Sequence, residues 1–145
     1  MTFALDLSAF AKKTDARMEA VVRRIVLDVA KSLVEMSPVG DASYWQSPPP
    51  KGYVGGRFKN SWDIGFNSIP SAVYRTADAS GSSSLGRIEA GMGGKMGGAV
   101  HYLVNNTSYA MRLEEGWSRQ APHGMVELTV MKFQTIVDEA AAQLQ

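Results

Sequence analysis

The chain contains no cysteine. Disulfides, thiolate nucleophiles, cysteine-held iron–sulfur clusters and cysteine-based zinc sites are thereby excluded. Histidine is nearly as scarce, with only His101 and His123, and two isolated imidazoles without carboxylates at ligand spacing make a poor metal site. No stretch offers the ~20 apolar residues that a membrane-spanning helix needs. The start, Met1-Thr2-Phe3-Ala4-Leu5-Asp6, meets an acid before an apolar run develops, so no signal peptide is expected. An excess of one charge is missing as well. Residues 1–37 carry six Lys/Arg against five acids, 38–100 six against four, and 101–145 three against five. A dedicated nucleic-acid binder draws its affinity from phosphate neutralisation, and no segment here has the basic excess for that.

What remains is the profile of one ordinary domain. At 145 residues the chain is long enough to bury a core, and 45% hydrophobic against 20% charged residues excludes wholesale disorder. Met18, Val22, Ile25, Val29, Leu33 and Met36 recur at a spacing of three to four and mark the apolar face of a long first helix. Ser8 is the expected N-cap, and Ser37-Pro38 ends the helix because proline disfavours helical geometry in the residue before it. Val21, Val26 and Leu27 widen the apolar surface, enough for one side to meet the core and another a neighbour. A closing helix is marked in the same way by Val126, Val130, Phe133, Val137 and Leu144, with Ala140 between.

The middle of the chain reads as strands and loops. Residues 40–56 hold Tyr44, Trp45, Pro48-Pro49-Pro50 and Tyr53, the composition of an extended Pro/aromatic arm. Residues 56–61 are expected to make a helical turn into a strand where Trp62, Ile64 and Phe66 alternate with Asp63, Gly65 and Asn67. Residues 71–76, 85–90 and 99–104 are the further strand candidates. Half of the 14 glycines fall between Gly81 and Gly98, so residues 91–98 are expected to form a mobile loop between strands. Residues 109–115 read as a short helix stopped by Gly116. The order predicts a single α+β domain over residues 1–145, with long N-terminal and C-terminal helices packed on a mainly antiparallel sheet.

Catalytic motifs are looked for and fail. Lys95 follows Gly94, but Glu89 stands where a P-loop needs its first glycine, and Met96 where it needs Ser or Thr. A dinucleotide fingerprint breaks at Met96, and no Gly-x-Ser-x-Gly elbow supports a serine nucleophile. Glu114 and Glu115 are adjacent, and neighbours on a helix point apart rather than share a site. Arg57 and Arg119 are their expected charge partners, with an Arg57–Glu114 contact the particular expectation. Trp62 and Trp117 read as packing residues. No cofactor, metal or catalytic residue is assigned.

Two stretches carry a resemblance. One runs Ser37-Pro38-Val39-Gly40 and then Gly56-Arg57-Phe58-Lys59-Asn60-Ser61-Trp62. The other runs Tyr109-Ala110-Met111-Arg112-Leu113-Glu114-Glu115-Gly116-Trp117-Ser118. In this order, between a first helix and a closing one, they resemble the phage tail-completion (neck, or head–tail joining) family over nearly the whole chain. That family often places Asp-Thr-Gly directly after Pro-Val, whereas here residues 40–55 intervene. The resemblance implies a structural protein rather than an enzyme. It would be made in the host cytoplasm and built into the virion as a ring, a hexamer by that likeness, at the head–tail junction. Its partners would be other copies of itself and the adjoining connector and tail proteins, with DNA passing the lumen without specific binding and no membrane involved. Trp45, Tyr53, Arg57, Phe58, Trp62, Tyr109, Glu114, Trp117 and Arg119 are the candidate interface or structural residues. The rival expectations are a tail terminator capping the tail tube, a small hydrolase, and a bacterial adaptor that binds peptides through a sheet edge.

Overall fold

The computed structural model describes residues 3–41, 48–94 and 96–143, with side chains from residue 15 onward in the first of these. Its elements run α1 (Phe3–Glu35), a 3-10 turn (Lys59–Ser61), β1 (Trp62–Phe66), α2 (Ser82–Gly91), β2 (His101–Asn105), α3 (Ala110–Glu114), α4 (Val126–Met131) and α5 (Phe133–Gln143). β1 and β2 pair antiparallel, Trp62 opposite Asn105 and Phe66 opposite His101. The expected α+β class holds, with terminal helices assembled around a two-stranded sheet.

α1 is the spine. Its 33 residues make a rod about 50 Å long. The inner half does the packing: Val26, Ala30, Leu33 and Val34 are buried, and Val22, Leu27, Val29 and Met36 lie partly buried against the same core. Of residues 15–20 only Glu19 is even half-buried. The helix begins earlier than expected, at Phe3 instead of after Ser8. Ala4, Leu5 and Leu7 are good helix formers and nothing before Ser8 breaks the helix.

Phe58, Trp62 and Ile64 bring the turn and β1 onto α1, and Trp62 meets Phe58 edge-on at 5.9 Å. The Trp62 indole N–H donates to Ser37 Oγ at 2.8 Å, and that hydroxyl donates to the Leu33 carbonyl at 2.7 Å. The buried indole therefore keeps its hydrogen bond, and the C-terminal end of α1 is fixed to β1. Just upstream, Gly56 (φ +111) crosses so close to the main chain of Asp78 and Ala79 that a Cβ would sit 2.5 Å from the Ala79 nitrogen. Only glycine fits there.

Residues 85–90 form part of helix α2, where a strand was expected. Asp78 accepts from the Ser80 and Ser83 amides ahead of it, and Ser84, Ile88 and Met92 repeat at four residues to bury one helical face. A short apolar run fits either period, and the preceding Asp-Ala-Ser-Gly-Ser turn decides for the helix. Residues 71–76 join no ladder. They are held instead by side chains: Asn106 Nδ2 donates to the Pro70 and Ala72 carbonyls, Arg57 Nε to Tyr74, and Asn60 Nδ2 to Thr76. The Arg87 guanidinium stacks on the Tyr74 ring at 3.5 Å, and the Tyr74 hydroxyl donates to Asp63.

The closing helix is broken at Lys132, whose N–H is shared between the Leu128 and Thr129 carbonyls. Its orientation also differs from expectation. Met125, Thr129, Ile136 and Ala140 are the buried positions, and Thr129 Oγ1 shares a 2.9 Å hydrogen bond with Ser32 Oγ of α1. The stripe Val126, Val130 and Phe133 lies about a quarter-turn away and faces out. Periodicity finds an apolar face without saying what that face meets.

The glycine-rich segment connects helix α2 to β2, where a loop between two strands was expected, and it is anchored. Met92 and Met96 are buried. The Glu19 carboxylate accepts from the Met96 amide at 2.6 Å and the Gly97 amide at 2.7 Å. Arg23 donates to the Met92 and Gly94 carbonyls. Hydrogen bonds to a charged group contribute about 1.5–3 kcal/mol each. Replacing Glu19 by Ala is therefore expected to speed hydrogen exchange at the Met96 and Gly97 amides by about tenfold or more while the α2 amides keep their protection. Unchanged exchange at those two amides would show that the carboxylate does not hold the segment.

Candidate functional site

Where residues 38–41, 50–58, 75–77 and 109–120 converge they leave an open groove of about 1320 Å³. Its floor follows from the packing above. Phe58 is buried beside Tyr109, ring centroids 6.2 Å apart, so the turn before β1 and the start of α3 share an aromatic seam. Tyr109 is half-buried. Burial pushes its hydroxyl above the ordinary value, the nearby Arg57 charge opposes this, and Tyr53 adds to the rise. One wall is tied by Gln120, which accepts from the Val39 amide at 2.9 Å and donates to the Val39 carbonyl at 2.7 Å. That bidentate contact joins segments 81 positions apart in sequence without a strand.

Six of the nine residues singled out from sequence line this groove: Tyr53, Arg57, Phe58, Tyr109, Trp117 and Arg119. Trp62 lies beneath it in the core, as a packing residue. Trp117 does not pack as expected. It is 69% exposed, with the Arg112 guanidinium 5.1 Å from its ring. Trp45 falls outside the described residues. The expected Arg57–Glu114 contact is absent, because each has another partner. Arg57 Nε donates to the Tyr74 carbonyl at 3.3 Å, and Glu114 turns toward α4.

Glu114 does what a local N-cap ordinarily does, from a distance in sequence. Oε2 accepts from the Met125 and Val126 amides and Oε1 from Glu127, each at 2.9 Å. Three of the four donors that every helix start leaves open are thus satisfied by one carboxylate. Gly124 makes room for it: at φ +77, a Cβ there would fall 2.6 Å from Glu114 Oε1. The neighbouring Glu115 is exposed. The pair therefore carries no shared acid–base chemistry.

The groove also holds residues that the sequence did not point out. Arg75 lies on the rim because residues 71–76 are extended; its only sequence signal is its place in an alternating stretch. Its charged lining is Arg57, Arg75 and Arg119 against Asp41. The histidines stand apart from it. His101 meets Phe66 edge-on at 5.3 Å, and His123 is exposed beside a separate small cleft near Lys59. No cluster of three His, Cys, Asp or Glu side chains able to hold a metal occurs among the described residues, and no described helix is long and apolar enough to cross a membrane. Fold and site together define a small α+β domain with a basic, aromatic groove beside its sheet. No family model matches the chain, and neither does a curated protein or a solved structure.

The Glu114 cap carries a pH signature. Burial pushes its carboxyl up, but the three amide donors outweigh that and hold it below the ordinary 4.5. A carboxyl lowered in the folded state stabilises fully above its unfolded value, and the contribution is lost as pH falls through the folded one. Glu114→Gln is expected to lower stability by about 1 kcal/mol near neutral pH, the usual scale of a lost cap. The melting curves of parent and variant should converge on acidification below about pH 4. Parallel curves across that range would remove Glu114 from the acid response.

Proposed function

We propose that this chain is a structural subunit of a phage neck, closing into a ring between the DNA-filled head and the tail and helping to attach or complete the tail. The observation that carries this reading is apolar surface that the domain does not itself cover. Along α4 and α5, Val126 (44%), Val130 (67%), Met131 (75%) and Phe133 (48%) are exposed as one stripe. A contiguous apolar stripe on a small domain marks a contact with another chain. On α1, Met18 is exposed as well (58%), which puts a second apolar contact point on a different helix. Two different surfaces on one subunit are what a heterologous, rotating interface requires, and a closed rotation makes a ring.

The family likeness of Pro38-Val39, Gly56-Arg57-Phe58, Tyr109-Ala110 and Glu114-x-Gly116 supplies the location, the hexameric count and the neighbours, namely connector and tail proteins. The structure adds reasons for some of that pattern. Gly56 passes another main chain where only glycine fits, Phe58 and Tyr109 meet at the floor of the groove, and Glu114 caps the closing helix. A near-neutral chain also suits a passage through which DNA slides, since few phosphates would be held.

Electron microscopy of lysates from a phage deleted for this gene tests the role. Filled heads beside separate tails of normal length are expected. Tails of uncontrolled length would assign the terminator role instead, and normal infectious particles would overturn both. Val130→Glu, placed on the exposed stripe, is expected to fold with parental helix content yet fail to restore infectivity. Full complementation would take the stripe out of assembly.

A further inference from the structure

Residues 70–77 have an order that no ladder explains. The carbonyls of Pro70, Ala72, Tyr74 and Thr76 all accept side-chain hydrogen bonds, at 2.9, 3.1, 3.3 and 3.0 Å. A repeat of two is the period of extended backbone, in which successive residues turn their N–H and C=O groups to opposite edges. The main-chain groups of Ser71, Val73, Arg75 and Ala77 therefore belong to the other edge. None of them makes a hydrogen bond among the described residues. The segment's carbonyls are clamped by asparagine and arginine side chains along one edge and open along the other. Its last residues, Arg75, Thr76 and Ala77, line the groove, together with Arg57, Arg119 and the aromatic residues.

We propose that this edge accepts an extended, acidic segment of a partner polypeptide, which adds as a strand beside residues 71–77. Main-chain pairing supplies the fit, and Arg57, Arg75 and Arg119 receive its carboxylates. Charge complementarity selects the occupant: the groove presents three guanidinium groups against the single carboxylate of Asp41. Arg57 engages the protein through Nε alone, which leaves its terminal nitrogens without a partner among the described residues. Arg75 and Arg119 are both exposed. A peptide also fits better than a nucleic acid. Base stacking needs open ring faces, whereas Phe58 is buried and Tyr109 half-buried with their ring centroids 6.2 Å apart. Carbonyls left open at every second residue, beside amides that make no hydrogen bond among the described residues, have their natural counterpart in another main chain. The proposal rests on the groove alone and stands or falls independently of the neck role.

Titration of the full chain by fluorescence anisotropy tests it, with a labelled octapeptide of alternating glutamate and valine as the probe. Saturable binding that weakens with salt is expected, and the glutamine–valine analogue should bind about tenfold or more weakly. Arg75→Glu and Arg119→Glu, both at exposed positions, should each cost about tenfold in affinity while the circular dichroism stays parental. N-methylation of alternate residues separates strand addition from simple charge attraction. One of the two alternating patterns should abolish binding and the other leave it intact. Absence of saturable binding, equal binding of the glutamine analogue, or indifference to both methylation patterns would overturn the proposal. Tighter binding of a labelled oligothymidylate would replace the peptide by a nucleic acid. A self-association that Arg75→Glu abolishes and the peptide cannot displace would assign the edge to a second copy of this chain.

Discussion

Two strands of five residues cannot enclose a core, and this constraint shapes the rest of the molecule. The missing apolar surface comes from the inner half of α1, and each other element is placed by how it reaches that surface. β1 reaches it through Trp62 and Ile64, α2 through Ile88 and Met92, and the turn before α4 through Met125. Polar contacts reinforce the same helix: Ser37 receives the Trp62 indole, and Ser32 shares a hydrogen bond with Thr129. The domain is therefore organised about a rod more than about a sheet.

A second theme follows from how little regular pairing there is. Irregular chain carries main-chain donors and acceptors that burial would leave unsatisfied. Here side chains take over. Asn60, Asn105 and Asn106 bond carbonyls of neighbouring segments, Arg87 donates to the Asn60 and Trp62 carbonyls, and Gln120 holds both main-chain groups of Val39. Glu19 and Glu114 do the same for amides. Such clamps cost side-chain entropy that a ladder would not. They also leave main-chain edges unpaired beside a groove, where regular sheet would have closed them.

These clamps explain which features were legible in the sequence. Periodicity located α1, the strand at Trp62, β2 and the short helix ended by Gly116, because each writes its burial into a local repeat. Four of the six groove residues, Arg57, Phe58, Tyr109 and Trp117, were found together because they belong to two recognisable stretches that the fold brings side by side. Tyr53 comes from the Pro/aromatic arm, and Arg119 directly follows the second stretch. The failures have physical causes. Leu85 and Ile88 sit in a run too short to fix its own period, and the serine-rich turn before them decides. Val126, Val130 and Phe133 form the more regular stripe of the closing helix, yet Thr129 and Ala140 are the residues α1 accepts. The Arg57–Glu114 expectation followed charge and ignored the hungrier partner, a helix start with open amides. Asn105 and Asn106 gave no sign in the sequence that their amides serve as braces.

Glu19 and Arg23 of α1 grip the segment after α2 by its main chain, Glu19 through the Met96 and Gly97 amides and Arg23 through the Met92 and Gly94 carbonyls. The gripped segment leads within a few residues into β2. Spine and sheet are thus tied twice, once through the apolar core and once through two charged side chains beside it. A load applied to the helix would reach the sheet by both routes.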